Sequence, residues 1–126
     1  MREYADVPPT IEAAVRAICM GLPEVHEQQA WVGRRWMIRK RTFAHVFAVD
    51  ADGGIRTGIQ FRLPEPEFGI LVQSGHPFFR AGWGSNVMQM VLSEATDFAE
   101  LEELLTESYC VMAPKKLAAQ VGPPQQ

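Results

Sequence analysis

Apolar residues between positions 10 and 22 return every three or four residues, which is the period of an amphipathic helix. We therefore predict a first helix from about Thr10 to Met20. Gly21 suits a left-handed cap and Pro23 prevents continuation, so the helix is expected to end there, before a loop that runs to about Gly33.

The hydrophobic period changes to two after this loop, which predicts strands. Residues 34–40 and 55–63 alternate, whereas residues 42–49 are apolar on both faces, as is typical of a central strand. The turn cluster 50–54 separates segment 42–49 from segment 55–63, so three antiparallel strands are predicted. If the apolar sides of these strands form one face of the sheet, that face covers the helices and contains Trp36, Ile38, Ile59 and Phe61. The other face is then exposed to solvent and contains Arg35, Arg39, Arg56 and Arg62.

The second half of the chain predicts further alternation of helices and strands. A short helix is expected within 64–75, an edge strand at 76–80 and a strand at 86–92, and a capped last helix is stopped by Pro114. The predicted fold is α+β, in the order α-β-β-β-α-β-β-α, with a mostly antiparallel sheet and helices packed on one face. We expect one domain over residues 1–117 and a flexible tail over 118–126.

The composition is that of a single folded domain. The 126 residues are 47% hydrophobic and 21% charged, close to average globular usage. No apolar stretch approaches the roughly 20 residues of a membrane-spanning helix, and the N-terminus has no export signal, so a cytoplasmic location without membrane contact is expected. Cys19 and Cys110 lie on helical patterns and are predicted to be reduced, buried core thiols.

Charge is distributed unevenly along the chain. Seven basic and two acidic residues lie between Arg34 and Arg62, a local net charge of +5, although the whole chain carries −3. Six acidic residues and no basic one lie between Glu94 and Glu107. The sequence therefore predicts a molecule with separate basic and acidic regions.

Three short motifs occur in the order and spacing of a known family. Residues 18–25 (ICMGLPEV) are similar to an ALALPGV segment, residues 41–44 (RTFA) to a GKxFA strand start, and residues 107–116 (ESYCVMAPKK) to an ESYxLVxxxLPKK ending. On these motifs the chain resembles the MmcQ/YjbR family from about Thr10 to Leu117. The resemblance implies a secretion-chaperone-like α+β fold. It also implies duplex DNA as a partner, since members are mostly described as candidate DNA-binding proteins without an established reaction.

The chain departs from that family before the penultimate strand, where a basic NKRHW stretch is usual. The aligned residues here run from Trp83 to Val87, contain no Lys or Arg, and place the tryptophan four positions early. An anion contact at that strand is therefore not carried over.

No catalytic or metal-binding group is predicted. His26, His45 and His76 match neither HExxH nor a zinc-ligand spacing, and no serine lies in a GxSxG elbow. No nucleophile, base and orienting residue can be named together, so we predict a non-enzymatic binding domain without a cofactor.

The strongest functional signal is the basic strand face. Arginines at strand spacing suit the phosphates of a nucleic-acid backbone, and the predicted contacts are Arg35, Arg39, Arg41, Arg56 and Arg62. Because Trp36 points inward, this face is expected to lack a stacking partner, which favours duplex DNA over single strands. A second interpretation is that the arginines keep the face solvated or contact the acidic helix of a second subunit.

A third interpretation starts from four aromatic residues in irregular segments, Trp31, Phe78, Phe79 and Trp83. Such a concentration is typical of a ligand pocket or a protein interface. It predicts a small aromatic ligand or a protein partner, and the sequence leaves the oligomeric state open.

Overall fold

The computed structural model describes residues 3–51 and 53–121. Its elements are β1 (Glu3–Ala5), α1 (Pro9–Cys19), β2 (His26–Gln29), β3 (Arg34–Ile38), β4 (Arg41–Ala51), β5 (Gly54–Arg62), α2 (Glu67–Ser74), β6 (Phe78–Arg80), β7 (Val87–Leu92), α3 (Phe98–Met112) and α4 (Lys115–Val121). The predicted α+β class is confirmed. None of the described helices is both long and apolar enough to cross a membrane.

Within the described residues, the strands form one seven-stranded antiparallel sheet. Six of them lie in the order β2-β3-β4-β5-β7-β6, and β1 pairs with the last part of β4. The long strands β4 and β5 are therefore central, as the apolar pattern of residues 42–49 predicts.

Helices α1 and α3 pack on one face of this sheet. The four apolar residues that alternation turns toward the helices are buried there, with at most 2% of their surface exposed: Trp36, Ile38, Ile59 and Phe61. Leu101 and Leu105 of α3 are fully buried against them. The hydrophobic core lies between these helices and this face of the sheet.

The opposite side of the sheet, which we call the open face, is marked by a row of side chains in cross-strand register. One side chain comes from each strand of the main order: Gln28, Arg35, His45, Gln60, Gln89 and Phe79. All six are partly or largely exposed. Polar side chains therefore dominate the middle of this face.

A β-bulge removes Phe43 from the alternation expected for β4. Trp36 pairs with Ala44 but Met37 pairs with Thr42, so Phe43 is an extra residue on β4. Its ring turns into the core, where it is fully buried and meets Tyr109 edge-on, with ring centroids 5.5 Å apart. Regular alternation would have placed this ring on the open face.

Strand β3 ends two residues earlier than the sequence predicts. Arg39 lies in the turn to β4 with φ 56°, and its guanidinium is 3.2 Å from the carboxylate of Glu24. Arg39 therefore does not continue the alternation that Arg35 begins.

An ion-pair cluster joins α1 to β2 and β3 on the helix side. Glu27 accepts hydrogen bonds from Arg16 at 2.8 Å, from Arg34 at 3.1 Å and from the indole of Trp36 at 3.0 Å. The bond from Arg16 is the main cause that lowers the pKa of Glu27, against the opposing effect of burial. Arg34 also donates to Glu12 at 3.1 Å. The arginines beside α1 are thus neutralised by glutamates.

Three short elements lack a hydrophobic pattern and were not predicted. Strands β1 and β2 fall in segments expected to be irregular, and β2 has the polar sequence HEQQ. Helix α4 covers residues 115–121 and buries Leu117, so it includes the first part of the predicted tail. Residues 122–126 of that tail, and Asp52 of the predicted turn, lie outside the described residues.

The two cysteines differ in exposure, and both thiols are free. Cys19 is fully buried, as predicted, whereas Cys110 is only partly buried. Burial raises the pKa of both thiols.

Candidate binding site on the open face

A cavity of about 740 Å³ lies on the open face. Its floor is the middle of β4 and β5, where His45, Phe47 and Gln60 line it. The β2-β3 loop and the β6-β7 loop contribute Trp31 and Trp83 to its walls. The volume is within the range of roughly 300–1,000 Å³ that is usual for small-ligand sites.

Three arginines line this cavity: Arg35 from β3, Arg41 from the start of β4 and Arg62 from the end of β5. Among the residues that the structure describes, the lining includes no Asp or Glu. Within residues 3–51 and 53–121 none of the three arginines forms an ion pair, whereas Arg16, Arg34 and Arg39 all do. The cavity therefore concentrates positive charge that no carboxylate of the described residues offsets.

Arg35 lines the cavity and is hydrogen-bonded to the uncharged side chain of Gln28. It lies in register between Gln28 and His45, and its Nη2 donates to the amide oxygen of Gln28 at 2.9 Å. Its Nε is shielded from solvent and finds no hydrogen-bond partner among residues 3–51 and 53–121. Such unpaired buried donors are rare. Because Arg35 lines the cavity, the guanidinium can interact with an anion there.

Arg62 and Trp83 form a second part of the wall. The Arg62 guanidinium carbon is 5.8 Å from the Trp83 ring centroid, within cation–π range. The same side chain donates to the carbonyl oxygen of Ser85 at 3.4 Å. These contacts link the end of β5 to the β6-β7 loop and place a cation beside a half-exposed indole.

Trp31 is almost completely exposed, at 99%. Its loop closes on itself through the bond from Ala30 N–H to the Gly33 carbonyl oxygen at 3.0 Å. His45 of the central strand binds the Val32 carbonyl oxygen at 2.6 Å. The loop is therefore attached to the floor of the cavity, although the indole itself has little protein around it.

The floor combines an aromatic part with an amide part. A β-carbon on Gly58 would lie only 3.1 Å from the Phe47 ring, so the glycine gives that ring room beside β5. Next along the sheet, Gln60 donates to the amide oxygen of Gln89 at 2.9 Å. The cavity thus offers aromatic faces, cations and amide groups to one ligand.

The YjbR family model matches residues 20–111, a span that includes β2 to β7 and most of α3. The chain belongs to the YjbR family. No protein with a curated description matches the sequence. The cavity of this YjbR-family domain lies mostly within the matched span, and only Tyr4 and Met112 of its lining lie outside it.

The structure brings together residues from two separate sequence predictions. Arg35, Arg41 and Arg62 of the predicted nucleic-acid contacts share the cavity with Trp31 and Trp83 of the predicted aromatic site. The expectation that the basic face lacks aromatic partners is therefore wrong: Trp36 does point inward, but Phe47 of β4 and the loop residues Trp31 and Trp83 line the cavity.

Four other predicted site residues lie elsewhere. Arg39 pairs with Glu24 in the turn after β3, and Arg56 is exposed on β5 opposite Val49, outside the cavity lining. Phe78 is only 6% exposed and belongs to the core. Phe79 is on the open face, at the far edge strand β6, and does not line the cavity.

Several residues of the cavity lining were not predicted from the sequence, notably Tyr4, His45, Phe47 and Gln60. Alternation alone puts His45 and Phe47 on one face of β4. A strand register that paired β3 with β4 would have placed both residues on the same face as Arg35.

Among the described residues, no group of three His, Cys, Asp or Glu side chains is arranged to hold a metal ion.

Proposed function

We propose that this YjbR-family domain is a non-enzymatic binding module for single-stranded nucleic acid. Arg35, Arg41 and Arg62 lie opposite phosphates, and Trp31 and Trp83 stack on bases. The observation that carries the proposal is that one cavity holds three arginines and two exposed tryptophans, and that within the described part of the chain these arginines have no ion pair and the lining has no carboxylate.

Positive charge in the cavity calls for an anionic ligand. Like charges brought close together raise the electrostatic free energy of the free protein, and a bound anion lowers it. Arginine also matches phosphate oxygens with two parallel N–H groups. Phosphate groups therefore suit the three arginines better than a neutral aromatic ligand does.

The tryptophans favour single strands over duplexes. In a duplex the base faces are covered by their stacked neighbours, and only phosphates and groove edges are available. In a single strand each base offers a free face, and stacking on an aromatic side chain contributes about 1–3 kcal/mol per base. A duplex would leave Trp31 and Trp83 without a role in binding.

The test is a titration of fluorescently labelled oligothymidylate, followed by anisotropy, beside a duplex of equal length. We expect tighter binding of the single strand at about 50 mM salt and a salt slope near −2, since three phosphate contacts each contribute about −0.7. A mononucleotide competes only weakly if a strand is the ligand. Equal competition by the mononucleotide would instead identify a small anionic ring compound as the occupant.

Matched variants separate the cavity from the rest of the open face. Arg41→Ala should weaken binding and reduce the magnitude of the salt slope by about 0.7. Arg56→Ala removes an arginine outside the cavity that also has no ion pair within residues 3–51 and 53–121, and it should change neither. Trp31→Ala should weaken binding by about 1–3 kcal/mol, and Phe79→Ala should not. If the wild-type domain binds no oligonucleotide at about 50 mM salt, the proposal is wrong.

A further inference from the structure

Ser108 connects the last long helix to the two central strands, at the end of the cavity that holds Arg62. Its hydroxyl donates to the Phe43 carbonyl oxygen at 2.7 Å and accepts from the Arg62 backbone N–H at 2.9 Å. The side chain is fully buried and is not part of the cavity lining. Helix α3 therefore supplies a hydrogen-bond bridge between β4 and β5.

The bridge lies where the pairing of the two strands stops. β4 and β5 pair from Ala51 with Gly54 as far as Ala44 with Phe61. One more step would set Phe43 beside Arg62. Because this pair is missing, the Phe43 carbonyl oxygen and the Arg62 backbone N–H have no partner on the opposite strand. A hydroxyl is both a donor and an acceptor, so Ser108 hydrogen-bonds to both groups. The strand ends are held apart by the inserted oxygen.

Arg62 is constrained from both sides of β5. Its backbone is in register with Val87 of β7, and its guanidinium contacts Trp83 and the Ser85 carbonyl oxygen. With Ser108 on the β4 side, the strand end is held on both sides, which fixes the point from which the Arg62 side chain leaves the backbone toward Trp83 and Ser85.

We infer that Ser108 is a positioning residue that sets the direction of Arg62 into the cavity. The inference rests on the proposed function, because it assigns Ser108, through Arg62, to anion binding. It also gives a role to the serine of residues 107–109 (ESY), one of the motifs that carry the family resemblance.

The position of Arg62 is measurable without nucleic acid, by quenching of Trp83 fluorescence. The chain has three tryptophans, of which Trp36 is fully buried, so in a Trp31→Phe background Trp83 is the only exposed indole. Iodide is an anion that the nearby guanidinium attracts, whereas acrylamide is neutral. The ratio of the iodide to the acrylamide quenching constant therefore reports the cation beside Trp83.

We expect Arg62→Ala to lower this ratio, and Ser108→Ala and Ser108→Cys to produce at least half of the same drop. The cysteine variant keeps nearly the volume of serine with a much weaker donor, and it decides the question if the alanine variant does not fold. Tyr109→Phe is the matched control, because it removes the neighbouring hydroxyl on α3, which donates to the Pro23 carbonyl oxygen at 2.7 Å. It should keep the wild-type ratio.

If the folded Ser108 variants keep the wild-type quenching ratio and differ only in a lower melting temperature, the inference is overturned. Ser108 would then stabilise the contact between α3 and the sheet without positioning Arg62. An equal drop in Tyr109→Phe would overturn it as well. Failure of the wild-type domain to bind oligothymidylate is a separate result, which rejects the proposed function and does not alter the quenching ratios. If it binds, Ser108→Cys should reduce the magnitude of the salt slope by about 0.7, as Arg62→Ala does.

Discussion

The His45 imidazole donates its Nε2–H to the Val32 carbonyl oxygen across 2.6 Å. A carbonyl oxygen can only accept, so the proton of this bond lies on Nε2. The bond joins a central strand to the loop that carries Trp31, and it attaches the backbone of that loop to the floor of the cavity.

Gly33 is the residue on which this loop depends most. It has φ 75°, and a β-carbon there would collide with the Val46 carbonyl oxygen. Gly33→Ala should therefore lower the free energy of unfolding by at least about 2 kcal/mol, measured by urea denaturation. Gly82→Ala, at a position with open space and no positive φ, should stay within about 0.5 kcal/mol of the wild type. Equal stability of the two variants would show that the loop adopts another conformation.

Glu107 should make stability depend on pH. Its burial, followed by a hydrogen bond and charge repulsion with Glu67, raises its pKa from 4.5 to about 7. Between these values the folded state binds more protons than the unfolded state, so stability falls as the pH rises from about 4.5 to about 7. In Glu107→Gln the side chain cannot ionise, so the fall in stability between about pH 4.5 and about pH 7 should be smaller than in the wild type.

The control for this effect is Glu102→Gln, which removes the same charge from an exposed position on the same helix. Melting temperatures measured at several pH values should show a flatter profile for Glu107→Gln alone. Parallel profiles for all three proteins would contradict the account.

The packing of α3 against the sheet is tested at Leu105, which is fully buried. Leu105→Ala leaves a cavity and should cost about 2–5 kcal/mol of unfolding free energy. Glu102→Ala, on the exposed side of the helix, should change it by no more than about 0.5 kcal/mol. If both variants unfold at the wild-type urea concentration, the helix does not pack as described.

The fold was predictable wherever one side of an element is apolar. Trp36, Ile38, Ile59 and Phe61 alternate with polar residues and are buried as predicted. Strand β2 could not be found in this way, because Glu27 binds arginines on one side and Gln28 binds Arg35 on the other. Its pairing depends on tertiary contacts rather than on hydrophobic burial.

The candidate site was predictable only in parts. Residue types pointed to Arg35, Arg41 and Arg62 as anion contacts and to Trp31 and Trp83 as ligand contacts, but not to one common cavity. Their convergence depends on two loops that fold toward the same face, and the bulge in β4 turns the Phe43 ring into the core. Neither feature has a local hydrophobic signal, because each is set by contacts between residues distant in sequence.

The central claim, that single-stranded nucleic acid occupies the cavity, is tested most directly by the three indole N–H signals in a proton–nitrogen NMR correlation spectrum. Trp31 and Trp83 line the cavity, whereas Trp36 is buried on the helix side with its indole bonded to Glu27 at 3.0 Å. Addition of oligothymidylate should shift the signals of Trp31 and Trp83 progressively and leave that of Trp36 in place. Binding that leaves the Trp31 and Trp83 signals unchanged, or no binding at about 50 mM salt, would contradict the claim.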